Sequence, residues 1–200
     1  MSGGIGKRGN LFTISGPSGS GKTSLCAALL ERMSGLCLSI SCTTRPKRPA
    51  EVDGRDYYFL DPGKFQELID QGAFLEHAVV HGHQYGTRLE DVEAMLARGD
   101  DVLLEIDWQG AAQVAGKRPD VCRIFILPPS LTTLRQRIES RGQDSPDVIR
   151  RRINAARKEI QHANEAEFRI INHIFSEAVE DLMSVVRAHR LRAPVDVEHY

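Results

Sequence analysis

Leu11-Phe12-Thr13-Ile14-Ser15 runs straight into Gly16-Pro17-Ser18-Gly19-Ser20-Gly21-Lys22-Thr23, and the reading of this junction decides the fold. The first segment is apolar or small throughout, as a strand buried on both faces of a parallel sheet must be. The second fits GxxxxGK[ST] at every fixed position, and Leu25, Leu29, Leu30 and Met33 then recur at helical spacing. Strand, glycine loop and helix in that order form a phosphate cradle. Glycines let successive backbone N–H groups curl around phosphate oxygens, and the helix N-terminus adds positive potential. The Lys22 ammonium reaches the β and γ oxygens, and the Thr23 hydroxyl is a ligand for Mg²⁺. Every residue from Gly16 to Thr23 is therefore a candidate contact for a nucleoside triphosphate.

Outward from the loop, apolar runs at residues 36–41, 102–106 and 121–127 alternate with helix-period segments. Leu89, Val92, Met95 and Leu96 mark one helix, Leu131, Leu134 and Ile138 another, and Ile149, Ile153, Ala156 and Ile160 a third. Ala178, Leu182, Val185 and Val186 mark a last one. Ser145-Pro146-Asp147 has the form of a helix start, with a capping hydroxyl, a proline in the first turn and an early acid. The alternation predicts an α/β fold, a parallel sheet with flanking helices. Residues 42–87 break the rhythm with a Pro/Arg-rich loop, Tyr57-Tyr58-Phe59 and a short helix near 65–69, and read as an inserted α+β module. Residues 140–145 form a short polar piece between two helices, a place for a mobile lid.

Lys and Arg number 26 against 27 Asp and Glu, a net charge of −1, so no global field holds the chain on nucleic acid or an anionic membrane. No apolar run reaches the roughly 18 to 20 residues of a membrane span. Cys26, Cys37, Cys42 and Cys122 show no CxxC spacing, which argues for buried thiols in a reducing compartment. A cytoplasmic protein is expected, with loose termini at 2–9 and 193–200; nothing in the sequence sets an oligomeric state.

A phosphate loop needs a carboxylate from another core strand to complete the magnesium shell. Glu105-Ile106-Asp107 supplies two at the end of a strand, and Asp107, nearer the C-terminal edge where ligands gather, is preferred, acting through water. The alternative is that one of these acids caps the following helix. In Ser41-Cys42-Thr43-Thr44-Arg45-Pro46-Lys47-Arg48-Pro49, cations crowd directly after a core strand in an otherwise neutral protein. Two guanidinium forks there can clamp one phosphate bidentately.

SxTTRxxR from Ser41 to Arg48, Asp53-Gly54-Arg55-Asp56-Tyr57-Tyr58, Phe74-Leu75-Glu76, Tyr85-Gly86-Thr87 and Glu105-Ile106-Asp107-Trp108-Gln109-Gly110 follow one another at intervals that resemble the guanylate kinases, over nearly the whole chain. The resemblance implies ATP:GMP phosphotransfer with Mg²⁺, on a core of 9–40, 88–139 and 146–188, a GMP-binding module at 41–87, and a lid at 140–145. Physical need supports it: guanine offers N1–H and N2–H donors beside the O6 acceptor, so its pocket wants a buried carboxylate and a hydroxyl. Glu76 and Ser41 fit. By similarity, Thr87 and Asp107 also lie at the base, and Arg45, Arg48, Tyr57 and Tyr85 hold the GMP phosphate.

The resemblance further implies that Arg141 and Arg152 meet the transferring phosphoryl group after lid closure, with Lys22 and Arg48, and that Arg137 and Asn172 contact ATP. Two departures stand out. The family's acidic lid motif appears as Gly142-Gln143-Asp144-Ser145-Pro146-Asp147, and His173 follows Asn172 where an acid is usual. ATP and GMP are the expected partners. The competing readings are a non-catalytic, protein-binding relative of the kinases and a P-loop kinase for another small acceptor; the intact loop argues against the first and Ser41 with Glu76 against the second.

Overall fold

Every residue of β1 (Leu11–Ser15) is buried, as a strand covered on both faces requires. The computed structural model describes residues 8–80, 82–140, 142 and 145–192. After β1 come α1 (Lys22–Arg32) and β2 (Leu36–Leu38), then β3 (Cys42–Thr43), β4 (Tyr58–Phe59), α2 (Pro62–Asp70), β5 (Phe74–Val80) and β6 (His83–Arg88). The chain continues through α3 (Leu89–Ala97), β7 (Asp101–Glu105), α4 (Trp108–Lys117), β8 (Cys122–Leu127), α5 (Leu131–Glu139) and α6 (Pro146–Ile160). A 3-10 turn, β9 (Phe168–Ile171) and α7 (Phe175–Arg190) complete the described residues.

The core sheet has the order β2-β7-β1-β8-β9, and all its pairs are parallel. Alternation along β1 divides the apolar interior. Phe12 and Ile14 pack with Leu25 and Leu29 of α1 and Leu182 and Val186 of α7. Leu11 faces the other way, with Val92 and Leu96 of α3, Val102 and Leu104 of β7 and Val114 of α4. Burial of each such side chain contributes about 1.5–3 kcal/mol, and truncation of the fully enclosed Phe12 to alanine should cost about 3–5 kcal/mol. The loop after β1 therefore rises from a strand enclosed along its whole length.

The second sheet has the order β4-β3-β6-β5, with β3 and β4 parallel and the other pairs antiparallel. Its core is small, Cys42, Phe65 and Phe74, with the two rings stacked 4.6 Å apart.

The α/β fold is as the sequence implies, with local differences. The run expected to be a strand over 36–41 is one only to Leu38, because the chain must leave the core sheet to enter β3 at Cys42. β9 was not anticipated. Ser145 occupies the N-cap position of α6, but its hydroxyl makes no capping bond, so the start rests on the backbone and Pro146. Arg8 and Gly9, expected to be loose, are tied: Gly9 N–H donates to the Leu96 carbonyl (2.9 Å), and Arg8 pairs with Glu93. The rest of the expected loose ends, 2–7 and 193–200, lies outside the described residues, as do Arg141, Gln143 and Asp144 of the expected lid. No described helix is long and apolar enough to cross a membrane.

Candidate functional site

Gly16 and Gly21 bound the glycine loop in positive-φ conformations (139° and 98°). A Cβ on Gly16 would meet the Ile126 carbonyl oxygen at 2.3 Å, so the loop leaves β1 by pressing on β8. Gly21 precedes α1 without any side-chain cap, whereas Asp61, Asp107 and Ser130 cap α2, α4 and α5. α3, α6 and α7 also lack such a cap, so it is the glycine loop ahead of α1, rather than the missing cap, that marks this N-terminus as an anion site.

Lys22 turns its ammonium back onto the loop, donating to the carbonyls of Gly16 and Pro17. Burial pushes its pKa down, while Glu105, Glu159 and Asp107 nearby oppose that shift. Thr23 Oγ1 donates to Glu105 Oε1 (2.6 Å). The carboxylate on Thr23 is therefore Glu105 rather than the preferred Asp107. Asp107 has passed the end of β7, and its oxygens accept from Gly110 N–H (2.8 Å) and the Gln109 amide (2.9 Å). The helix-capping alternative describes its position here. Hydroxyl and carboxylate oxygens are the hard donors Mg²⁺ favours, so the set at Thr23, Glu105 and Asp107 fits that ion.

Asn172 is buried, and its Nδ2 donates to the Ser20 carbonyl (2.8 Å). Arg137 donates to the Asn172 carbonyl (2.8 Å) and to the Ser20 carbonyl (3.4 Å). Both expected ATP contacts thus brace the loop from beneath. Arg152 Nη2 donates to Ser18 Oγ (2.7 Å), which brings α6 onto the loop. Lys22, Thr23, Arg137, Asn172 and Arg152 converge on one place; Arg141 lies outside the described residues.

In the second sheet, β3 and β6 pair Cys42 with Gly86 and Thr43 with Tyr85, which sets Ser41 beside Thr87. Glu76 and Thr87 are buried and directly paired, and Thr87 Oγ1 donates to Glu76 Oε1 (2.6 Å). Burial pushes the Glu76 carboxyl up to about 7; the charge of Asp107 adds to the shift, and the Thr87 bond opposes it. The carboxylate lies against the first turn of α4, where a Cβ on Gly110 would come within 2.5 Å of Oε2. Ser41, Glu76, Thr87 and Asp107 therefore gather where the two sheets meet.

The cationic loop carries a feature the sequence reading missed. Glu51 accepts from both terminal nitrogens of Arg45 (2.7 and 3.1 Å) and from the Arg48 backbone N–H (2.8 Å). The paired side chains are only 13% and 16% exposed, and the Arg48 side chain is 73% exposed. Arg45 also lies over the Tyr57 ring (5.4 Å), which meets Tyr85 edge-on at 6.0 Å. The bond to Arg45 pulls the Glu51 carboxyl below its usual range. An acid within a loop of arginines was the available signal.

A model of the guanylate kinase family matches residues 8–189. Among curated proteins, the guanylate kinase of Cupriavidus pinatubonensis is 52% identical over 184 residues, 92% of this chain and 85% of that one. That of Methylobacillus flagellatus is 49% identical over 193 residues, 96% of each. The crystal structure of guanylate kinase from Anaplasma phagocytophilum superposes with a TM-score of 0.78 at 31% identity, covering 94% of this chain and 90% of the other.

Proposed function

The chain belongs to the guanylate kinase family, and from that membership we infer that it transfers the γ-phosphoryl group of ATP to GMP, giving ADP and GDP. The observation that carries the GMP assignment is the buried Glu76–Thr87 pair beside the α4 N-terminus. A carboxylate there has no need of solvent if it meets the N1–H and N2–H donors of guanine, and Ser41 offers a hydroxyl toward O6. Residues 42–87, with Ser41, act as the GMP-binding module, and the glycine loop takes ATP.

A phosphate oxygen of GMP attacks the γ phosphorus in line, and the bond from that phosphorus to the β-bridging oxygen breaks. No protein nucleophile is required. Lys22 releases the loop carbonyls and meets the β and γ oxygens, with backbone N–H groups of residues 18–23 beneath them. Arg48, whose fork is exposed, takes the acceptor phosphate with Tyr57 and Tyr85, while Glu51 holds Arg45 in place. Arg152, already at Ser18, adds charge at the transferring group, and the motif alone assigns Arg141 to the same task. Mg²⁺ would be held by Thr23, with Glu105 and Asp107 through water, and would neutralise charge on the β and γ oxygens. The cysteines are all free and three are buried, which supports a reducing, cytoplasmic setting.

A coupled assay with ATP and each nucleoside monophosphate tests the reading. GMP and dGMP should react, and AMP, CMP and UMP should fall at least about 10³-fold lower in kcat/KM, because a guanine pocket leaves its own polar groups unpaired with other bases. Equal rates with AMP would overturn it.

A further inference from the structure

Glu76 follows an irregularity in its strand. Phe74 of β5 faces Arg88 of β6, yet Glu76 faces Thr87, so Leu75 is an extra residue on the β5 side. A bulge of this kind bends the strand and re-aims the side chain that follows. It also leaves backbone groups without ladder partners, a cost that a strand in mid-sheet would hand to its neighbour.

Among the described residues, β5 has no neighbouring strand on its outer edge. α4 lies there instead, and its side chains act on the backbone. Gln113 accepts from His77 N–H (3.1 Å) and donates to the His77 carbonyl (2.8 Å), the two bonds a paired strand would make. One turn on, the Lys117 ammonium donates to the carbonyls of Phe74 (3.2 Å) and Leu75 (2.7 Å), on the bulge itself. The backbone is thus tied to α4 on both sides of Glu76. The same helix begins at the turn against which the Glu76 carboxylate is seated.

We propose that Gln113 and Lys117 are positioning residues for guanine recognition: through them α4 replaces a missing strand, locks the bulge at Leu75 and fixes the direction of Glu76. The proposal rests on the reading of Glu76 as the guanine-binding carboxylate. Guanine presents N1–H and N2–H side by side, and a carboxylate accepts both only when its plane is aligned with the base edge. A small rotation keeps one bond and loses the other. Inosine monophosphate (IMP) keeps N1–H and lacks the N2 amine, so the ratio of kcat/KM for GMP to that for IMP measures the aim of Glu76.

Steady-state kinetics on Lys117→Met and Gln113→Leu, with GMP, IMP and ATP each varied, test the idea. Both variants should raise KM for GMP about tenfold or more, as misplacement of a binding group by less than 1 Å can do, and should lower the GMP:IMP ratio by a similar factor. KM for ATP should stay put, and Lys117→Arg should recover most of the ratio. An unchanged ratio in variants that merely melt at lower temperature would overturn the proposal. Glu76→Gln, measured alongside, separates the two layers. If it also leaves the ratio unchanged, the guanine assignment of Glu76 fails; if it alone lowers the ratio, only the positioning role fails.

Discussion

Around residues 16–23 the chain is held by backbone and buried side chains: Gly16 presses on β8, and Asn172 and Arg137 grip the Ser20 carbonyl from below. Around residues 45–51 it is held by a largely enclosed ion pair, with Glu51 joining Arg45 to the Arg48 backbone. The first region is preorganised by the core and continues a strand buried at every residue. The second depends on a few polar contacts over a small core of its own. Changes at the donor loop should therefore act on the rate in an all-or-none way, whereas changes in the acceptor module should grade the affinity for GMP.

The largest expected effect breaks the donor side alone. Lys22→Ala should lower kcat by about 10³-fold, the upper range for removal of one preorganised donor to transition-state charge. GMP affinity by calorimetry should stay near normal, since the ammonium touches only its own loop in the absence of ATP. A parallel collapse of GMP binding would erase the division between the two regions.

Arg48→Ala comes next and should differ in kind. Among the described residues its fork approaches only Glu51, at 3.9 Å, so it is available to the acceptor phosphate both before and during transfer. Loss of about 10²-fold in kcat/KM should be shared between weaker GMP binding and slower single-turnover transfer. Should GMP affinity be unaffected, Arg48 would belong with the donor-side charges.

The same contrast explains what could be read from sequence. The strand-loop-helix unit was legible because burial of Leu11–Ser15 and the glycine spacing are local facts. β9 was not, because Phe168–Ile171 is short, lies at a sheet edge and buries only Ile170 fully. In the site, residue types carried Glu76 and the arginines. What they could not carry was which partner each group meets across the fold. Asn172 serves the Ser20 carbonyl, 152 positions away in sequence, and the Glu105 carboxylate reaches Thr23 while Asp107 turns back on α4. The bulge at Leu75 leaves no trace in composition, since it is visible only from the register of β5 against β6.

A third prediction uses pH to probe the buried end of the acceptor module. Burial holds the Glu76 carboxyl at about 7 in the unliganded protein, and the proposed bonds from the guanine donors require it ionised. Below about pH 7 GMP binding must therefore expel a proton, and Kd should rise about tenfold between pH 8 and pH 6. Because the folded value is raised, the folded protein holds this proton more tightly than the unfolded chain does. The group's contribution to stability is consequently lost as pH rises from the ordinary carboxyl range to about 7. Glu76→Gln should flatten both dependences; the titration of the GMP phosphate, near about pH 6, is common to both proteins and cancels in the comparison. A variant as pH-sensitive as the parent would remove Glu76 from the linkage.

The smallest net effect is expected at Glu51, and its size is itself informative. The carboxylate does two opposed things in a site meant for an anion. It fixes the Arg45 fork and the backbone at Arg48, which prepares the clamp; it also places a negative charge beside the incoming phosphate, which repels it. Removing it as Glu51→Ala loosens the clamp and lifts the repulsion together, so KM for GMP should rise only about threefold to tenfold, less than for Arg48→Ala. The coupling between the partners should be larger than that net change suggests, because the pair is bidentate and mostly enclosed. In a double-mutant cycle, the Arg45→Ala background leaves only the repulsion for Glu51→Ala to lift, so the second substitution should lower KM rather than raise it, with an interaction energy of about 1 kcal/mol or more. Additive effects would mean that Glu51 does not work through Arg45. A fall in KM for Glu51→Ala would mean that repulsion outweighs positioning, and the acceptor clamp would then be set by Arg48 and the tyrosines alone.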